Sequence, residues 1–234
     1  DSHKSLLSTN QITEFTAEVR AVRALFYYYA MDMFGNIPLV TSYDVALEQV
    51  VTNKRSEVFK FIVDELQAVA PVLADARSNT PGDYYGRVTR HVAHFLLAKL
   101  ALNAEIYSDD NWTDGNRTDG KNIYFTVNGE KKNAWQACIW YCQQLTDEGY
   151  ELETDYASNF IVHNENSKEN IFTIPLDKNL YPNEYHYQFR SRHYKHDGAY
   201  GCAAENGTCA TVSTVKAFGY GTSQVDPRFR SEEH

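Results

Sequence analysis

The chain has 234 residues, of which 43% are apolar and 23% charged, with a formal net charge of −9. That length can build one large domain or two small ones around a real core, while the acidic balance excludes a nucleic-acid backbone partner, which demands clustered Lys and Arg. No window of about 18 apolar residues occurs, so no membrane-crossing helix is expected. Aromatic residues make up 14% of the chain, including 17 Tyr, a surplus that suits sugars or polar peptides. The chain starts at Asp1, shows no signal peptide, and reads as a mature or trimmed piece with any targeting segment upstream.

The first predicted element lies within Glu18 to Leu39, EVRAVRALFYYYAMDMFGNIPL. Thr16, or alternatively Thr13, is the expected cap, and Val22, Leu25, Phe26, Tyr29 and Met33 recur at three- and four-residue intervals as the expected inner face. Gly35 and Pro38 stop the helix, and Tyr27, Tyr28 and Tyr29 place rings on three of its sides. A long irregular connection follows. Ser56 is expected to cap a second helix, Glu57 to Leu73, with Val58, Phe59, Ile62, Val63, Leu66 and Val69 on one face.

After a turn at Asn79 to Asp83, a third helix is expected from Arg87 to Tyr107. Val88, Val92, Phe95, Leu96, Leu100 and Ile106 form its apolar face, with Ala93, Ala98, Ala101 and Ala104 at close-packing positions. A polar loop, Ser108 to Gly120, precedes a hairpin whose Asn128-Gly129 turn has the type I′ composition. A fourth helix, Asn133 to Thr146, is expected to turn Trp135, Cys138, Ile139, Cys142 and Leu145 inward. Glu169 to Leu176 reads as a short strand stopped by Pro175, and Asn179 to Gly207 shows no period and is crowded with Tyr, His and Arg. Thr211 to Phe218 is a last helix-like stretch.

The first and third helices overlay at an offset of about 70 and the second and fourth at about 79, which predicts two stretched helix-turn-helix repeats of tetratricopeptide type. The predicted fold class is therefore mostly α, with tetratricopeptide-like helix pairs, loop-rich irregular segments and short strands.

Five blocks in one order then carry a resemblance: AEVRAVRALFYYYAMDMFGNIPLV, YGRVTRHVAHFLLAKLALNAEIY, GYELETDYASNF, NSKENIFTIP and DPRF. Over residues 14 to 229 the chain resembles the SusD/RagB family, surface glycan-binding lipoproteins of Bacteroidetes nutrient-uptake systems. The resemblance implies an α-α superhelix displayed on the outer membrane through a lipid anchor outside this chain. It also implies a glycan ligand and a SusC-type TonB-dependent transporter as partners, together with the remaining segments of the same SusD-like protein. Residues 14 to 149 would be two helix pairs and residues 150 to 234 a loop-rich, ligand-side segment of one domain. The N-terminal lipidated segment and the C-terminal helix pairs would lie outside it.

In that family the ligand is held by loop aromatics and polar groups, because pyranose C–H faces pack on flat rings while amides and charges satisfy hydroxyls. By this resemblance Tyr181, Tyr185, Tyr187, Arg190, Tyr200 and Asn206 are the candidate ligand-binding residues; each ring has the competing role of covering the scaffold. Thr208 stands where some family members present a Trp, which leaves the sugar unspecified.

No catalytic residue, cofactor fingerprint or metal site emerges from the sequence. No G-x-S-x-G, Walker or dinucleotide motif occurs. The Asp- and Asn-rich loop around Trp112 fails the EF-hand register, and it reads as a solvated loop more readily than a calcium site. His91 and His94 share a helix at a spacing of three, repeated by His193 and His196, but no third ligand or HExxH frame accompanies either pair. Cys138 and Cys142 are expected on a buried helix face, while Cys202 and Cys209 can be bridged or free. The rival function is a tetratricopeptide-type peptide-binding or assembly adaptor; a glycoside hydrolase stands third.

Overall fold

A computed structural model describes residues 6–176 and 210–227. The chain divides into two compact units, Asp1–Pro175 and Leu176–His234. The first holds helices α1 (Thr9–Phe34), α2 (Arg55–Val69), α3 (Arg90–Leu102), α4 (Ala104–Tyr107) and α5 (Ala134–Asp147). It also carries two small antiparallel ribbons, β1 (Ile37–Pro38) with β2 (Thr52–Asn53) and β3 (Tyr124–Val127) with β4 (Glu130–Asn133). The described part of the second unit holds α6 (Val212–Ala217), capped by the Thr211 hydroxyl, which accepts from Thr214 N at 3.2 Å. The expected helix at Thr211 to Phe218 is present.

Helix α1 begins earlier than Thr16 because Ser8 and Gln11 form a capping box. Gln11 N donates to Ser8 Oγ at 3.3 Å, and Ser8 N donates to Gln11 Oε1 at 2.9 Å. Its end falls at Gly35, as expected, with φ of 72° and an N–H donated to Met31 O at 2.8 Å. The buried face of α1 differs from the expected one. Ala17, Ala21, Ala24, Tyr28 and Met31 are inside, whereas Phe26, Tyr29 and Met33 are 69%, 51% and 66% exposed. The two stripes have the same period; small side chains occupy the line of closest approach to a packed neighbour, and bulky rings are displaced to its flanks.

The six apolar residues expected on α2 are all buried. Its start is set by Glu57, which accepts from Lys54 N at 3.1 Å, and by Asp110 from a distant loop, which accepts from Ser56 N at 3.1 Å and Ser56 Oγ at 2.7 Å. Ser56 is thus inside the helix rather than its cap. Arg20 and Arg23 meet Glu65, Tyr27 meets the Phe61 ring edge-on at 5.6 Å, and Asn36 Oδ1 accepts from Arg55 N at 2.9 Å. Partners descend along α2 as they ascend along α1, so the two helices run antiparallel. The Glu65 carboxyl is held below its usual range chiefly by the hydrogen bonds from Arg20.

The three successive tyrosines do point three ways. Tyr27 OH donates to Val40 O at 2.7 Å and accepts from Val40 N at 2.8 Å, clipping the chain that leaves α1. Tyr28 is buried edge-on against Tyr107, and Tyr29 is half out. Tyr107 donates to Asp32 at 2.5 Å, and burial followed by this bond raises its pKa.

The third predicted helix is shorter than expected and broken at Asn103, which separates α3 from α4. Val92, Leu96 and Leu100 are buried, as are Ala93, Ala98, Ala101 and Ala104; Phe95 and Ile106 are 37% and 42% exposed. Arg87 lies before α3, where it bridges Glu14 and Glu18 of α1. The hairpin forms with Val127 opposite Glu130, and Asn128 and Gly129 both have positive φ, 51° and 77°, as a type I′ turn requires. Asn133 caps α5, accepting from Gln136 N at 2.9 Å. On α5 the inward set is Ala134, Ala137, Tyr141 and Leu145; Ile139 and Cys142 are exposed and Trp135 and Cys138 half-buried, against expectation. Burial, then proximity to Cys142, pushes the Cys138 thiol up to about 11, so it stays a protonated apolar filler.

The expected strand Glu169–Leu176 has no ladder partner among the described residues. Instead Ile171 and Phe172 pack against the helical core, and Pro175 closes on Gly86, where an added Cβ would collide with the proline ring. Here the apolar residues serve a helix surface rather than a sheet.

Candidate functional site

Tyr181, Tyr185, Tyr187, Arg190, Tyr200 and Asn206 lie outside the described residues, as do His193, His196, Cys202 and Cys209. Among the hollows lined by described residues of the first unit, two adjoin the α3–α5 pair. One is a polar cavity of about 470 Å³ at the second helix pair; the other is a mostly apolar groove of about 820 Å³ beside it.

The polar cavity is positioned by the antiparallel packing of α3 and α5, in which His91 meets Tyr150 and Glu148 while His94 meets Trp140 and Tyr141. His91 is buried, with Nε2 3.0 Å from Asp75 Oδ1 and 3.8 Å from Glu148 Oε2, and Nδ1 3.1 Å from Tyr150 OH. Arg90 Nη1 donates to the other Asp75 oxygen at 2.9 Å. Arg77 lies 4.0 Å above the Tyr150 ring and donates to Gly149 O, fixing the ring against His91. Burial pushes the Tyr150 phenol up to about 12, so it remains neutral. The sequence pairs His91 with His94; both line the cavity, but it is Asp75 and Glu148 that stand against the His91 ring nitrogen. That grouping was illegible because Asp75 and Glu148 lie in chain stretches that only packing unites.

His94 sits between Trp140 and Tyr141, with ring centroids at 5.8 and 5.6 Å. Burial, then the Arg90 and His91 charges, lowers its pKa to about 4. The unfolded chain protonates this imidazole near pH 6.5, so its contribution to stability is complete above about pH 6.5 and is lost as pH falls toward 4. Discounted for partial exposure, the loss is about 2 kcal/mol. Thermal unfolding in EDTA between pH 7 and 4 should show it, and the His94→Gln variant should have a correspondingly flatter profile. An unchanged slope in that variant would contradict this role for His94.

The groove is lined by Tyr29 from α1, Phe95 and Lys99 from α3, and Leu152, Ile171 and Phe172 from the later loops. Its rings are those expected in the core. The Asp-rich loop spends these carboxylates on hydrogen bonds within the protein. Asp110 caps α2, Asp114 accepts from Asn116 N at 2.8 Å, and Asp119 accepts from Lys121 N at 2.8 Å. Trp112 projects from that loop, 74% exposed.

Two antiparallel helix pairs, with α2 also packed on α3, define a mostly α, helical-repeat class of protein. No family model matches the chain. Its sequence is 26% identical over 160 residues to the starch-binding protein SusD of Bacteroides thetaiotaomicron, covering 68% of this chain and 24% of that protein. It is 25% identical over 164 residues to a SusD-like protein of Bacteroides ovatus, covering 69% and 26%. Among solved structures it matches a SusD-like carbohydrate binding protein of Bacteroides fragilis with a TM-score of 0.55 at 21% identity, covering 74% of this chain and 29% of that one. It also matches a SusD superfamily protein of Bacteroides vulgatus with a TM-score of 0.54 at 18% identity, covering 74% and 31%. The chain is thus similar to SusD and SusD-like proteins, and it spans about a quarter of the length of the curated relatives it matches. Among the described residues no helix is long and apolar enough to cross a membrane.

Proposed function

We propose that this chain is part of a cell-surface protein that binds glycan without cleaving it and passes it to a SusC-type TonB-dependent transporter. The observation that supports this most is the likeness in sequence, over 160 residues, to the starch-binding protein SusD. In this reading the lipid anchor and outer-membrane placement reside in a segment outside this chain. The ligand platform is the loop-rich stretch that carries Tyr181, Tyr185, Tyr187, Arg190, Tyr200 and Asn206. An acidic protein with 17 Tyr has the composition such a platform needs, rings for sugar faces and polar groups for hydroxyls.

The test is affinity for a polysaccharide panel measured for the protein and for the Tyr181→Ala/Tyr185→Ala/Tyr187→Ala triple variant. Three stacking contacts at about 0.5–1.5 kcal/mol each predict a loss of at least tenfold. A folded triple variant that binds as tightly as the parent removes these tyrosines from the platform. Release of reducing ends from any polysaccharide would replace the binding function with hydrolysis.

A further inference from the structure

We propose that Asp75, His91 and Glu148 form a binding site for a divalent first-row transition cation such as Zn²⁺, opening onto the polar cavity between α2, α3 and α5. One imidazole nitrogen and two carboxylate oxygens from three separate elements lie within 4.8 Å of one another. Asp75 follows α2, His91 is in the first turn of α3, and Glu148 closes α5. The distances from His91 Nε2 to the two oxygens, 3.0 and 3.8 Å, bracket the ligand-to-ligand spacing of about 3.3 Å in a tetrahedral zinc site with bonds near 2.05 Å.

The surroundings are arranged as outer partners of such a site. Tyr150 OH stands 3.1 Å from Nδ1, where it accepts the ring proton in the tautomer that leaves the Nε2 lone pair free. Arg77 over the Tyr150 ring holds that phenol in place. Arg90 takes the Oδ2 atom of Asp75 and leaves Oδ1 directed at the imidazole. Glu148, half exposed, faces the same ring nitrogen as Asp75. A single Nε2–H satisfies only one of two facing carboxylates, and the Glu148 carboxylate accepts no hydrogen bond within 3.5 Å from the described residues. A cation at this point would serve both carboxylates at once, with Arg90 still paired to the outer oxygen of Asp75. Imidazole among the donors favours zinc, cobalt or nickel over calcium and magnesium. The remaining coordination position faces the cavity lined by His94, Trp140 and Gln144, where water or a ligand hydroxyl completes the shell.

The test is calorimetric titration of the EDTA-stripped protein with ZnCl₂, with the visible spectrum of added CoCl₂ as a second readout. One equivalent is expected to bind and to raise the melting temperature by about 5 °C or more at 100-fold excess over Kd. CaCl₂ should do neither. Removing a ligand should weaken zinc binding at least about 100-fold in His91→Gln and about tenfold in Glu148→Gln. Glu148 is on the surface, so its variant stays informative if His91→Gln fails to fold. The His193→Gln/His196→Gln variant should bind as the parent does. Zinc affinity unchanged in Glu148→Gln, abolished in the His193/His196 variant, or absent from the parent overturns the site.

Discussion

Replacing Ala24 by Leu is expected to destabilise the protein by about 2–3 kcal/mol, whereas Phe26→Ala, two residues along the same helix, should change stability by less than about 0.5 kcal/mol. Ala24 is fully buried on the line where α1 approaches its partner, while Phe26 is 69% exposed. Three added carbons at position 24 force the helices apart or drive side chains off their rotamers, and truncation at position 26 removes little contact. Chemical denaturation of the two variants beside the parent measures the difference. The reverse order would restore the aromatic stripe as the core face of α1.

Leu100→Ala should cost about 3–5 kcal/mol, the range for a fully enclosed leucine whose site cannot collapse. Leu100 is wholly buried on α3, the helix that packs both on α5 and on α2. For comparison, Leu102→Ala, two residues on at a position 59% exposed, should lie near zero. A loss at position 100 as small as at position 102 would mean that α3 is not the central element of the first unit.

Helix α2 was legible residue by residue because its apolar period and its buried face coincide. In α1 the same period is carried by two competing stripes. Hydrophobicity favours Phe26 and Tyr29, but steric demand at a helix crossing favours Ala17, Ala21 and Ala24, and a pattern that scores only apolar content selects the wrong one. Cap positions failed for a related reason. Ser8 precedes any apolar period, although the Ser8-to-Gln11 spacing is itself a capping box, and the Asp110 contact with α2 comes from 54 residues away. The type I′ turn at Asn128-Gly129 was legible because it is wholly local.

Of the blocks that carried the family resemblance, the first two were readable as helices, but the later ones were not readable as structure. Asn159 and Ser167, within them or at their edge, are buried together: Ser167 Oγ donates to Asn159 Oδ1 at 2.6 Å, and Asn79 Nδ2 donates to Ser167 O at 2.8 Å. This polar knot ties the segment after α5 to the turn before α3, which explains why polar residues are specified there. The cluster of Asp75, His91 and Glu148 has the same character, being assembled from residues 16 and 57 apart in sequence.

The most direct test of the central claim is a glycan array probed with the folded protein, with soluble sugar products assayed in parallel. Selective binding to one polysaccharide class with no release of reducing ends is the predicted result. Binding to no glycan, or cleavage of one, would contradict it.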